Sequence, residues 1–235
     1  GNTGTHTLTI NDASGEIDTL AITSSVANTA ITTLAGDALD ATKVTFTNTA
    51  AVKTAGAITS KTIDASAATG AVTVVVGTAD VAFTGGSGND SIDMAATLTV
   101  ADTLVGGAGT DTVILNTATT ALTGARITGF ETVRVGATNL TFDNDFLTVS
   151  NYVVEGIATS TLSDLSNNTT ITLLGDNATS VTANVKTNTS ADVLNLTFGN
   201  TAAATQTLAL LEGHLNVDTL NIASGGGGAN IITAM

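Results

Sequence analysis

Short runs of alternating apolar and polar residues recur along this chain. "DTVIL" (111–115), "ETVRV" (131–135), "NYVVE" (151–155), "TITLL" (170–174), "DVLNLTF" (192–198) and "DTLNIAS" (218–224) are built alike. An acid or polar residue opens each run, and apolar residues then fall largely on every second position. "TKVTF" (42–46) and "TIDAS" (62–66) are weaker versions. Alternation of this kind predicts half-buried β-strands. Helical spacing is confined to two places. In "AAATQTLALLEGHL" (202–215), Leu208, Leu211 and Leu215 predict a short helix, and "LAGDALDA" (34–41) predicts a single turn.

The runs begin at 111, 131, 151, about 171, 192 and 218, a spacing of about 20 residues with one longer step. A strand of four or five residues cannot bury its face alone. Stacked one per coil, parallel and about 4.8 Å apart, such strands make a continuous sheet. Turns come from runs such as "TNTAAVKTAG" (47–56) and "LSNNTT" (165–170). The expected fold is all-β: a parallel β-helix or β-roll solenoid with minor helix. It is expected to form one elongated domain over residues 1–235, with a seam near 116–128.

Composition narrows this further. The 235 residues include no Pro, no Cys and no Trp, and aromatics are only 3%. Small and β-branched side chains must therefore fill a narrow interior, and a chain without Pro suits strands that are all central. Mean hydropathy is +0.36, yet no stretch of about 18 apolar residues exists, so no membrane-spanning helix is expected. Twenty acids against six Lys and Arg leave a net charge of −14. That argues against a nucleic-acid partner and favours a cation. Without Cys there is no disulfide framework and no thiolate metal site. The first residues carry no signal-peptide pattern and "ANIITAM" stops abruptly, so a fragment of a longer protein is expected. Neither H-E-x-x-H nor G-x-S-x-G occurs, and His6 and His214 stand alone, so the chain is not expected to be an enzyme.

Two glycine blocks break the Thr/Ala pattern. "GGSGNDSID" (85–93) and "GGAGTDTVI" (106–114) both fit G-G-x-G-x-D-x-U-x, where U is a large apolar residue. This nonapeptide resembles the calcium-binding unit of repeats-in-toxin (RTX) proteins, which form parallel β-rolls. Glycine lets the backbone curl with positive φ and turn carbonyls to one side. Ca²⁺ takes about six to eight hard oxygens, so one loop is half a cage and the ion must sit between successive coils. The blocks are 21 residues apart, three more than two nonapeptides. The intervening Asp102-Thr103-Leu104 reads as the other side of the coil without a glycine loop. The resemblance implies one site. Its ligands would be the carbonyls of Gly86, Gly88, Gly106 and Ala108 and the carboxylates of Asp90 and Asp111. A further block, "GGGGANIIT" (225–233), carries Asn230 in place of the Asp and implies a weaker site. Asp143 and Asp145 stand two apart, as in calcium loops, but alone read as a solvated turn. Asp18, Glu131, Asp192 and Asp218, which open strands, read as turn caps.

Residues 61–115, with "ITGFETVRV" (127–135), "ADVLNLTF" (191–198) and "VDTLNIAS" (217–224), resemble the RTX-type surface-layer (S-layer) proteins of Gram-negative bacteria. Only the nonapeptides are specific; the rest is a likeness of composition. The resemblance implies export unfolded by type I secretion, binding of extracellular Ca²⁺, self-association into a cell-surface lattice, and a polysaccharide anchor outside this chain. An RTX adhesin or biofilm matrix segment is the alternative, and the non-catalytic part of a secreted RTX enzyme a more remote one.

Overall fold

The structure, a computed structural model, describes residues 6–9, 17–25, 29–35, 42–77, 80–95, 98–116, 126–136, 141–144, 149–155, 160–174, 178–186, 191–199, 206–210, 217–225 and 230–234. The chain divides into two compact units, one of Gly1–Ile114 with Gly124–Phe130 and the other of Leu115–Thr123 with Glu131–Met235. The first unit contains β1 (His6–Thr9), β2 (Thr19–Ile22), β3 (Thr29–Ala35), β4 (Lys43–Phe46), β5 (Val52–Ile58), β6 (Thr62–Asp64), β7 (Val72–Val76), β8 (Ala82–Thr84), β9 (Ser91–Met94), β10 (Thr103–Val105), β11 (Thr112–Leu115) except its last residue, and β12 (Arg126–Thr128). The second contains β13 (Thr132–Val135), β14 (Thr141–Asp143), β15 (Asn151–Glu155), β16 (Ser160–Leu165), β17 (Thr169–Leu174), β18 (Ala178–Val185), β19 (Val193–Phe198), β20 (Gln206–Leu210), β21 (Thr219–Ser224) and β22 (Asn230–Ala234).

Every described strand pairs only with strands two places away in the chain order, never with its sequence neighbour. In the first unit the even strands form a parallel sheet in the order β12-β10-β8-β6-β4-β2, and the odd strands from β1 form a second. In the second unit β13, β15, β17, β19 and β21 form one sheet, and β14, β16, β18, β20 and β22 the other. Each coil thus contributes one strand to each of two sheets. The chain is a parallel β-solenoid with roughly 20 residues per turn.

Alternation builds the core as columns. In the first unit Val44, Ile63, Phe83, Leu104 and Ile127 are successive register partners, all at most 3% exposed. Phe130 closes against Phe83 with ring centroids 6.5 Å apart. In the second, Val133, Tyr152, Ile171 and Leu196 form a like column, again at most 3% exposed. One residue per coil fills each layer, which is why single Val, Leu, Ile or Phe side chains suffice. The Tyr152 hydroxyl, buried with its ring, donates to Asn144 Oδ1 at 2.5 Å. Outward positions pair across coils too: Lys43 with Asp64 at 2.8 Å and Arg134 with Glu155 at 2.6 Å.

The helix expected at 202–215 is corrected at its centre. Residues 206–210 are the strand β20, which pairs with β18 and β22. "QTLAL" fits period two as well as helical spacing, and strand partners on both sides outweigh helix propensity. Residues 202–205 and 211–215 lie outside the described residues. So do 36–41 of the expected turn, whose first two residues end β3. Among the described residues there is no α-helix.

Candidate metal centre at the stacked glycine bends

All six residues expected to hold calcium lie in the first unit. The bends 85–90 and 106–111 lead into β9 and β11 and stack in register. Gly85 N–H donates to Val105 O at 2.7 Å, Ala108 N–H to Gly86 O at 2.9 Å, and Thr110 N–H to Asn89 Oδ1 at 2.9 Å. Asp90 N–H donates to Asp111 Oδ1 at 2.7 Å. The intervening Thr103–Val105 is β10, in the other sheet, as the spacing implied.

The glycines are required mainly because backbones meet. A Cβ on Gly85 would lie 1.8 Å from Gly106 O, and one on Gly86 would lie 2.1 Å from Ala68 O. The expectation that positive φ shapes both bends holds only for the second. Gly107 and Gly109 have φ of 107° and 132°, whereas no glycine of the first bend is among the positive-φ residues. Close stacking, rather than a left-handed turn, explains the first block.

Both carboxylates point inward. Asp90 is 1% exposed; its Oδ1 accepts Val72 N–H at 2.8 Å and its Oδ2 accepts Gly86 N–H at 2.7 Å. One oxygen holds its own bend and the other holds the preceding coil. Burial pushes the Asp90 carboxyl above the usual carboxylate range, against the lowering effect of those two N–H bonds. Asp111 is fully buried and takes the Asp90 amide.

The same device recurs without a glycine block. Asp102, also fully buried, accepts Val81 N–H at 2.7 Å on Oδ1 and Thr99 N–H at 2.6 Å on Oδ2, at the turn into β10. In the second unit Asp218 Oδ2 accepts Asp192 N–H at 3.1 Å, the cap expected of an acid that opens a strand. An acid at this position therefore ties coils together whether or not a metal is bound. In the sequence alone Asp102 marks only the other flank of the coil. Its pairing with Val81, 21 residues earlier, is visible only in the folded register.

Asn48 was also missed. It is fully buried in the bend two coils before that of Asp90, where its Nδ2 donates to Ala50 O at 2.6 Å and Gly70 O at 3.1 Å. There the coil link runs from side-chain donor to backbone acceptor, the reverse of Asp90.

The donor set at the two bends is all oxygen and includes two carboxylates, which suits a hard cation. Asp90 and Gly86 each already accept amide N–H groups, but carboxylate and carbonyl oxygens keep a second lone pair. The residues present fit calcium in kind. Among the described residues no three or more His, Asp or Glu side chains gather as a metal site, so backbone carbonyls would have to supply the rest of the shell. Of the third block, residues 226–229 lie outside the described residues, and Asn230 opens β22. Asp145 and His214 also lie outside them. Compared with protein-family models, with curated proteins and with solved structures, the chain matches none.

Proposed function

We propose that this chain is a structural, non-enzymatic segment of a surface layer, which folds and self-associates outside the cell in a calcium-dependent way. The supporting observation is the stacking of the two bends. Asp90 N–H on Asp111 Oδ1, 21 residues away, puts two carboxylates one coil apart in one column. Gly86, Gly88, Asp90, Gly106, Ala108 and Asp111 would hold the ion. The chain's own part is to present those oxygens on consecutive coils.

The compartment follows from the chemistry of the reading. Sites of the extracellular class bind calcium at about 10⁻⁴–10⁻³ M. A ligand that binds only the folded chain makes folding follow arrival where the ion is abundant. The net charge of −14 suits assembly in which divalent ions bridge acidic surfaces.

Calorimetric titration with calcium, melting curves with and without chelator, and electron microscopy of the same samples test this. Saturable binding, a raised melting temperature and ordered sheets are expected. A melting curve and an oligomeric state that ignore the chelator would overturn the calcium reading. Monomers that adhere to glycans or cells would transfer the chain to the adhesin class.

A further inference from the structure

The glycine bends of the first unit belong to a longer column of bends, 47–51, 65–71, 85–90 and 106–111. Two series of backbone contacts fix which residues stand above one another. Thr69 N–H donates to Asn48 O at 2.9 Å, Ser87 N–H to Ala68 O at 3.0 Å and Ala108 N–H to Gly86 O at 2.9 Å. Asn48, Ala68 and Gly86 therefore share one position. A Cβ on Gly70 would lie 2.6 Å from Ala50 O, and one on Gly88 would lie 2.8 Å from Gly70 O. Ala50, Gly70 and Gly88 share the other. Gly86 and Gly88, whose carbonyls are expected to face calcium, thus have Asn48 and Ala50 as their counterparts two coils earlier.

At Asn48 the first position carries a side chain, and that side chain is fully buried. Its Nδ2 meets three backbone carbonyls, Ala50 O at 2.6 Å, Gly70 O at 3.1 Å and Ala71 O at 3.4 Å. Carbonyl oxygens of two consecutive coils converge on one partly positive atom. A hard cation asks for the same surroundings. The other end of the amide is an independent sign. Asn48 Oδ1 is buried and has no donor among the described residues. Buried acceptors are ordinarily met, so hydrogen bonding by itself does not account for an amide here. In the first glycine bend the filling is reversed. Gly86 has no side chain, and Asp90 reaches its N–H with Oδ2 from the other end of the bend.

We propose that the Asn48 amide nitrogen stands at a cation position between two coils, and that this residue keeps calcium out of its bend and so confines the ion to the glycine bends. The proposal rests on the calcium reading above and names what restricts it. Residues 47–51 and 65–71 contain no acid. Asp64, just before the second of these bends, is engaged by Lys43 and Ser66. Neutral carbonyls without a carboxylate leave a divalent ion uncompensated, whereas an amide donor satisfies them with no charge at all. The coils joined at Asn48 therefore close without metal. One atom makes the difference. Asn48→Asp replaces the nitrogen by a carboxylate oxygen among carbonyls that already converge, which turns the plug into a ligand.

Melting curves in chelator and in millimolar calcium, with calorimetric calcium titration, compare the native chain with Asn48→Asp and Asn48→Ala. In chelator Asn48→Asp is expected to melt at least about 5 °C below the native chain, because a buried carboxylate then faces carbonyls without a donor. Calcium is expected to restore at least about half of that difference, with about one more ion bound per chain than in the native titration. Asn48→Ala removes the donor and adds no charge. It is expected to melt below the native chain equally with and without calcium, at native stoichiometry. An Asn48→Asp chain that calcium does not rescue, or that stays unfolded in calcium, overturns the proposal. Equal rescue of Asn48→Ala also overturns it, since the ion would then act elsewhere. The native titration judges the glycine bends separately. If Asn48→Asp gains an ion while the native chain binds none, the cation position at Asn48 stands and the reading of the glycine bends falls.

Discussion

Asp90 donates its backbone N–H to Asp111 Oδ1 at 2.7 Å, while its own carboxylate accepts Val72 N–H at 2.8 Å. Amide and carboxylate thus alternate from coil to coil through one column of turns. Asp90 satisfies a donor of the coil before it, and Asp111 does the same for the coil of Asp90.

The role of such acids separates from calcium by comparison of two sites. Asp102→Ala leaves the Val81 and Thr99 amides without their acceptor. It is expected to cost about 1–3 kcal/mol, equally with and without calcium. Asp90→Ala with Asp111→Ala is expected to remove most of the calcium-induced rise in melting temperature as well. Urea titrations with and without chelator check both. An equal calcium response in the double variant and the native chain would sink the assignment of these carboxylates.

Chelation is expected to loosen residues 85–115 before the rest of the chain. Hydrogen exchange is the measurement, with faster exchange at the Asp90 and Ala108 amides, both of which donate across the bends. Uniform acceleration along the chain would contradict a local site.

Gly85→Ala is expected to destabilise by about 3 kcal/mol or more, since overpacking typically costs about 1–3 kcal/mol and this clash is backbone on backbone. The added Cβ would meet Gly106 O at 1.8 Å. At Gly225 the nearest atom to a Cβ among the described residues is Phe198 O at 3.5 Å, so Gly225→Ala is expected to be near neutral. Melting temperatures of the two variants form the test; equal losses would contradict the stacking.

Lys43 and Asp64 confer a pH dependence on the first unit. The Lys43 ammonium, helped by the Ser66 hydroxyl and amide, holds the Asp64 carboxyl down to about 2 from 3.8. A folded-state pKa below the unfolded one adds stability that is present above about 4 and lost as pH falls through about 2. Both side chains are partly exposed, so the gain is at most about 1 kcal/mol. Lys43→Met is expected to flatten this part of the stability profile between pH 5 and pH 2, measured by urea midpoints. An unchanged slope would rule the pair out as its source.

In the second unit, Tyr152→Phe is expected to cost about 1 kcal/mol. It removes the hydroxyl that donates to Asn144 Oδ1, while Asn144 keeps the Val149 amide at 3.2 Å. Tyr152→Ala, which empties one layer of a column, is expected to cost about 3–5 kcal/mol by analogy with Phe and Trp truncations. Denaturant unfolding measures the difference between them.

Much of the fold was legible because each strand states its own period. "TVRV" (132–135) and "LNLTF" (194–198) alternate, and alternation over four or five residues has one reading when the spacing repeats near 20. The equal offset of the two glycine blocks likewise announced that they stack. "QTLAL" was misread because five residues satisfy both periods, and only β18 and β22 on either side decide between them. The roles of Asp102 and Asn48 were not legible either, since each depends on a backbone group about one coil away.

Sequence alone determined that short parallel strands would coil around a narrow core of small side chains, because local alternation and a repeating interval are properties of the chain itself. Tertiary structure alone decided where each carboxylate points. Asp90 faces Val72 and Gly86 because stacking without room for a Cβ brings backbone amides inside the bend, and a buried amide must find an acceptor.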